Sequence, residues 1–445
     1  MGALRRSPHD REIARLALPA LGALAVDPLV SLVDTAYVGR LGAEALASLA
    51  VATAVFTLAF AMFNFLAYGT TPLVAAAIGR GDLSAAGRLT VNGLIVGAIL
   101  GVGSALLLAL TATPVLEVMG ASAETLSGAR DYLVVRALAL PAVMIITVGH
   151  GAFRGYQDTR TPLYVTLGLN AVNLVLDPIF IFGFGAGLVG AAWATVVAQW
   201  AGALAFLALL WLGRKRLGIA VGRPGREELR TLLGAGRPLV IRTLALLGTL
   251  TLATAVAARI GTVAVAAYQV LAQLWLFLAL VVDALAIAAQ AMIGKSVGAE
   301  SADARAIANR LLVLGLGIGF ALAAVMALAA PWLSQLFTDD PAVVAAIRSA
   351  YPFVVVMQPL NAIVFVWDGI VIGAADFSYL AVSMVTAAVI SSAVLLAVVP
   401  QGWGLAGVWW GLVVLMATRA LTLLVWQLRG PLSVAPDRSP SSPGA

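Results

Sequence analysis

From about residue 12 to residue 428 the chain alternates between apolar stretches and short polar breaks. Each apolar stretch is long enough to cross ~30 Å of hydrocarbon as a helix. The breaks carry Gly, Pro, Asp and Arg, residues that end helices and form turns. The pattern predicts twelve spans, at 12–38, 45–69, 88–113, 130–152, 162–184, 189–213, 230–258, 263–292, 306–330, 346–372, 379–399 and 405–428. None has the residue-by-residue alternation of a transmembrane strand. Backbone groups in lipid must be satisfied internally, so the predicted fold is an all-α integral membrane bundle.

The spans repeat in two sets of six. At a shift of 219, Pro19 meets Pro238, Gly42 meets Gly261 and Gly79 meets Gly298. At 218, Pro141 meets Pro359, Gly151 meets Gly369, Gly155 meets Gly373 and Asp158 meets Asp376. At 217, G-L-V-G-A-A-W (187–193) meets G-L-A-G-V-W-W (404–410). Matches of Gly and Ala come cheaply in such a composition, whereas paired Pro, Asp and Trp do not. Six spans per half is an even number, so both halves share one orientation and a pseudo-twofold axis along the membrane normal. The predicted layout is a six-helix lobe over 1–213, a basic linker over 214–229, a second six-helix lobe over 230–430, and a disordered Pro/Ser-rich tail over 431–445. Two equivalent lobes around a central cleft can rock to expose a site to each side in turn, which points to transport.

Composition agrees with this reading. Of 445 residues, 62% are hydrophobic and 11% charged, too few charges to cover a soluble protein of this size. The formal charge of +6 orients helices rather than recruiting nucleic acid. The loops of one side hold only Arg40, Arg130, Arg259 and Arg348, and Arg136, Arg242 and Arg419 lie within spans. The remaining twenty of the 27 basic residues fall on the other side, which is therefore expected to be cytoplasmic and to hold both termini. Arg5, Arg6 and the run up to Ala23-Leu24-Ala25 resemble a signal peptide, but the repeat uses this segment, so it is expected to be retained. The absence of Cys excludes disulfides and thiolate chemistry. No Ser/His/Asp set, metal-ligand spacing or P-loop is legible, and G-L-G-I-G at 315–319 sits mid-membrane as helix packing. Nothing therefore predicts an enzyme, a cofactor or a resident metal.

Five acids lie inside spans: Asp27, Asp34, Asp177, Asp283 and Asp368. A charge at the helix centre costs ~2.5–3.5 kcal/mol on insertion scales, so such residues face a cavity or a partner. Asp27 and Asp34 are seven apart and share a helix face, as do Asn173 and Asp177, four apart. The repeat supplies a control, because Asp34 maps onto Ala253, and Asp177 maps near Val394 and Leu395. A lobe can be built without these carboxylates, which favours a functional role. Two carboxylates sharing a poorly solvated pocket resist ionising together. Such a pair can take up H⁺ or trade it for Na⁺ or a cationic substrate. The plainer alternatives are that Asp34 pairs with Arg40, that Asp177 only precedes the helix-bending Pro178, and that Asp27-Pro28 is a kink device. Further cavity candidates are Asn64, its repeat partner Asp283, and Gln290. His150 and its partner Asp368 sit near span ends on the basic side, as a gate or as satisfied interfacial residues.

Several segments resemble one known family. L-A-L-P-A-L-G…L-V-D-T-A-Y-V-G-R-L-G (16–42), F-R-G-Y-Q-D-T-R-T-P (153–162) and N-L-V-L-D-P-I-F (173–180) are similar to multidrug and toxic compound extrusion (MATE) transporters. D-A-L-A-I-A-A-Q-A-M-I-G (283–294) resembles the DinF-like branch. The resemblance implies a V-shaped twelve-helix fold and cation-coupled antiport of organic cations or amphipathic drugs. It implies a coupling-ion cluster at Asp34, Asn173, Asp177 and Thr195, for H⁺ or Na⁺, and a bend of the first helix at Pro19. The expectation is a monomeric antiporter of a bacterial inner membrane, with H⁺ favoured. The runner-up is a lipid-linked saccharide flippase of the same superfamily, disfavoured by an interior expected to be mainly acidic. A non-transporting membrane scaffold has no use for repeated halves or for acids buried in one lobe.

Overall fold

The computed structural model describes residues 7–220, 226–337 and 340–432. Residues 433–445 of the predicted tail and 221–225 of the predicted linker lie outside them. The described chain is almost wholly helical. The first half comprises α1 (Asp10–Gly39), α2 (Ala43–Ala61), α3 (Phe65–Gly79), α4 (Leu83–Val118), α5 (Ala123–Ala137), α6 (Leu140–Gly155), α7 (Arg160–Pro178) and α8 (Gly187–Leu212). The second comprises α9 (Arg226–Ile260), α10 (Thr262–Gly298), α11 (Asp303–Phe337), α12 (Pro341–Val356), α13 (Gln358–Gly373), α14 (Phe377–Val398) and α15 (Gly404–Leu428). With α2–α3, α5–α6 and α12–α13 each taken as one span, they make the twelve expected. Several helices outrun the predicted spans. The 37 residues of α10 extend over about 55 Å, well beyond the hydrocarbon. Hydropathy falls where the lipid ends, whereas the helix continues until a turn residue stops it.

The breaks have local causes. The α5–α6 pair bends by 50° and α12–α13 by 49°. Just past each bend stands a proline, Pro141 and Pro359, which has no N–H to give to the preceding turn. These two prolines are repeat partners, so the same local cause acts once in each half. The α2–α3 break at Met62–Asn64 has no counterpart in α10, which runs unbroken through Asp283.

The repeat extends to side-by-side contacts. A Cβ built on Gly101 would lie 2.5 Å from Cα of Pro141, and one on Gly319 would lie 2.7 Å from Cα of Pro359. One packing solution is therefore used twice. The halves meet at the arginine-rich end of the bundle, where α3 and α10 cross. There Gly79 and Gly298, repeat partners, approach across the axis: a Cβ on either would meet a backbone carbonyl oxygen of the other helix at 2.0 Å. Such closeness between membrane helices needs small residues. Polar latches join the halves at the same end. Arg310 donates to both carboxylate oxygens of Asp10, from Nε at 2.6 Å and Nη2 at 2.7 Å. Arg88 Nε donates to Glu228 at 2.5 Å, and Gln157 Nε2 to the Ala291 carbonyl at 2.8 Å. Towards the other end α2 packs on α1, α4 and α5 of its own half, and the two lobes part in a V.

Candidate functional site: two polar chambers

Helices α1 and α7 lie side by side and present their polar faces to a chamber of about 860 Å³. The seven-residue spacing places Asp27 and Asp34 on one face of α1. On α7, Asn170, Asn173 and Asp177 form a matching stripe, each less than one-tenth exposed. Asn170 Nδ2 donates to Asp27 Oδ1 at 2.7 Å, and Asn173 Nδ2 donates to Asp177 Oδ1 at 3.3 Å. The carboxyls of Asp34 and Asp177 meet across the helix pair. Oδ1 of Asp34 and Oδ2 of Asp177 are both buried with no hydrogen bond among the described residues. Beyond Pro178 the helix widens into a π-helical turn, Ile179–Gly183, a distortion frequent at functional sites. Thr195 lines the same chamber from α8; its hydroxyl donates to the Ala191 carbonyl at 3.0 Å, leaving its lone pairs available. Asn64 enters from the α2–α3 break. Pro19 lies within α1, which is continuous through it.

Asp34 forms no ion pair with Arg40 among the described residues. Its cationic neighbour is Arg136 of α5, whose guanidinium carbon sits 4.2 Å from the Phe56 ring centre. His150 and Arg154 of α6 also line this chamber, and the His150 ring lies 3.3 Å from the Thr166 hydroxyl. Sequence reasoning gave Arg136 no role. Its position inside a span was the signal, since a mid-membrane guanidinium needs a partner.

Asp283 and Gln290 are not in this group. They line a second chamber, of about 400 Å³, bounded mainly by α9, α10, α13 and α15. Tyr68 of α3 lines both chambers. Here Asp368 of α13 is a buried ion-pair partner. Its Oδ2 accepts from Arg242 Nη2 at 2.5 Å and from Arg419 Nη2. The expectation of a mainly acidic interior is therefore corrected: four arginines, 136, 154, 242 and 419, line the two chambers. They fall in spans or turns far apart in sequence, so their convergence is a product of packing. Among the described residues no group of three His, Cys, Asp or Glu could hold a metal ion.

A V-shaped pair of helical lobes, closed at one end and holding buried polar chambers, is the architecture of a multi-pass membrane transporter. The chain belongs to the MatE family, whose model matches twice, over residues 19–179 and 238–398. The second match begins and ends 219 residues after the first, the shift read from the prolines. Protein DETOXIFICATION 44, chloroplastic, of Arabidopsis thaliana is 38% identical over 94% of this chain and 82% of its own length. The DNA damage-inducible protein F of Escherichia coli is 30% identical over 94% of this chain and 92% of its own, in keeping with the DinF-like motif. A crystal structure of MATE in the bent conformation shares the fold with a TM-score of 0.89 at 24% identity, covering 95% of this chain and 96% of that one.

Proposed function

We propose that the protein is a proton-coupled antiporter that exports organic cations or amphipathic drugs across a bacterial inner membrane, with both termini in the cytoplasm. The lobes 1–213 and 230–430 move as units about the linker 214–229. The observation that carries this reading is the meeting of Asp34 and Asp177. Two neighbouring buried carboxyls, each with an oxygen that no donor satisfies, are held together by one proton and repel when it leaves. A carboxyl pair that can share a single proton supports H⁺ over Na⁺. Asp34, Asn173, Asp177 and Thr195 form the coupling site, and Pro19 is where α1 can bend as the site loads. Asp27 and Asn64 shape the chamber that receives the substrate.

In this cycle the chamber, open away from the arginine-rich end, takes up a proton and releases the substrate outward. The arginine-rich face lies in the cytoplasm, as the distribution of basic residues requires. A membrane potential contributes ~2.3 kcal/mol per charge per 100 mV, which sustains a gradient of roughly fifty-fold for a one-charge exchange. The arginines lining the chambers remove the electrostatic objection to the flippase alternative, yet the carboxyl pair has no task in it. Dye efflux from proteoliposomes under separately imposed pH and Na⁺ gradients tests the proposal. Efflux driven by the pH gradient in the native chain, and lost in Asp177→Asn with membrane insertion intact, is the expected result. Undiminished efflux by that variant excludes the coupling site.

A further inference from the structure

The second chamber gathers two arginines and two aspartates, Arg242, Arg419, Asp283 and Asp368. Asp368 presents a single oxygen to two guanidinium groups. Asp283 and Arg154 lie within electrostatic reach of the same cluster, with Tyr68 among them. The chamber's two arginines are matched in number by its two aspartates, and Arg154 of the neighbouring chamber stands close by. Arg419 is 2% exposed and Asp368 4%. Buried charges are costly unless each is paired and its remaining hydrogen-bonding groups are satisfied.

Unused hydrogen-bonding capacity on the arginines points to a missing acceptor. A guanidinium carries five N–H groups. Nε of Arg242 is buried with no acceptor among the described residues, and Nη1 of Arg419 donates to the sulfur of Met416 at 3.3 Å, a weak acceptor. The repeat again provides a control. Arg242 maps onto Ala23, Asp368 onto His150 and Arg419 onto Gly202. The first lobe is built without this trio, so the trio is not a requirement of the lobe.

We propose that the second chamber binds an anionic group, a carboxylate or a phosphate, between Arg242 and Arg419. The apolar body attached to that group lies against Leu250 and Trp275, which share the chamber wall. Planar guanidinium groups suit both anions, because each can give two parallel N–H bonds to two oxygens. Asp368 fixes the two arginines in place and sets how strongly the site attracts an anion. The site is separate from the carboxyl pair of the first lobe, and an amphipathic substrate that used it would carry an anionic group beside its apolar body.

The test is titration calorimetry on the full chain in phosphatidylcholine nanodiscs, with succinate and inorganic phosphate as probes at constant ionic strength. The native chain is expected to bind both. Arg242→Gln and Arg419→Gln weaken binding by about tenfold or more, the effect of one charge-assisted hydrogen bond. Asp368→Asn removes the competing carboxylate and tightens binding, a change in the opposite direction that a folding defect cannot produce. Asp177→Asn leaves it unchanged, so loss of dye efflux in that variant and loss of anion binding here are separable. Repeating the titration in phosphatidylglycerol nanodiscs identifies the source of the anion. Weaker succinate binding there assigns the site to a lipid headgroup, and equal binding assigns it to a free solute. No binding by the native chain, or equal affinity in Arg419→Gln, Asp368→Asn and the native chain, overturns the proposal.

Discussion

Asp34 and Asp27 stand on one face of one helix, yet they meet different partners. Asp27 already accepts from Asn170 at 2.7 Å, whereas Asp34 faces another acid. The two should therefore respond differently to neutralisation. Asp27→Asn can keep a hydrogen bond to Asn170, and dye efflux by this variant is expected to stay within a few-fold of the native rate. Asp27→Ala leaves the Asn170 amide short of a partner and costs about 1–3 kcal/mol, readable as a lower midpoint of thermal unfolding in detergent. Asp34→Asn is expected to abolish coupled efflux at unchanged expression. Equal loss in Asp27→Asn and Asp34→Asn would remove the distinction between the partnered acid and the paired one. At this scale the sequence was informative about which residues stand out, since an acid in an apolar run is conspicuous. It was silent about partners. Arg136 and Asp34 are 102 positions apart, and no periodicity connects them.

At the scale of elements, hydropathy located the spans, while two of the bends fall at prolines that in the sequence served only as repeat markers. Pro141 and Pro359 each sit one turn or less beyond a change of direction, where the missing N–H leaves the helix free to turn. The break at Met62–Asn64 carries no proline and was not foreseen. Helix crossings depend on which glycines face a neighbour, which a single sequence does not reveal. Gly298 and Gly317 look alike in the chain. A Cβ on Gly298 would meet the Ala76 carbonyl oxygen at 2.0 Å, while one on Gly317 meets nothing within 4 Å. Gly298→Leu is accordingly expected to destabilise by about 1–3 kcal/mol through overpacking at the α3–α10 crossing. Gly317→Ala is expected to be neutral, or stabilising by about 0.5–1 kcal/mol, because a helix interior favours Ala over Gly. Thermal unfolding of the two variants in one detergent decides the contrast. Matched behaviour would mean that the crossing is looser than its geometry.

Across the whole molecule, the arginine-rich end is held shut by the glycine crossing and by the ion pairs Asp10–Arg310 and Arg88–Glu228. Such solvent-screened pairs each contribute modestly. Losing both together is still enough to shift a two-state equilibrium several-fold. Because the chain has no native Cys, two introduced cysteines report on the lobes without background. Spin labels at Arg160→Cys and Arg305→Cys, exposed positions at that end on opposite lobes, are expected to show a longer distance component once Asp10→Ala and Arg88→Ala are added. An unchanged distribution would show that the glycine crossing alone sets the closed state.

The amino-acid sequence by itself determined that this chain is a membrane bundle of twelve spans, duplicated in halves, with acids placed where lipid would reject them. Those conclusions rest on local quantities: the cost of charge in hydrocarbon, the length of a helix that crosses it, and the missing N–H of proline. Only the tertiary structure decided which charges meet. It brought Asp34 to Asp177, gave Asp368 two arginines from distant helices, and divided the polar residues between two chambers. Coulombic and hydrogen-bond energies fall off within a few ångströms, so partners are chosen by packing, and packing joins residues hundreds of positions apart.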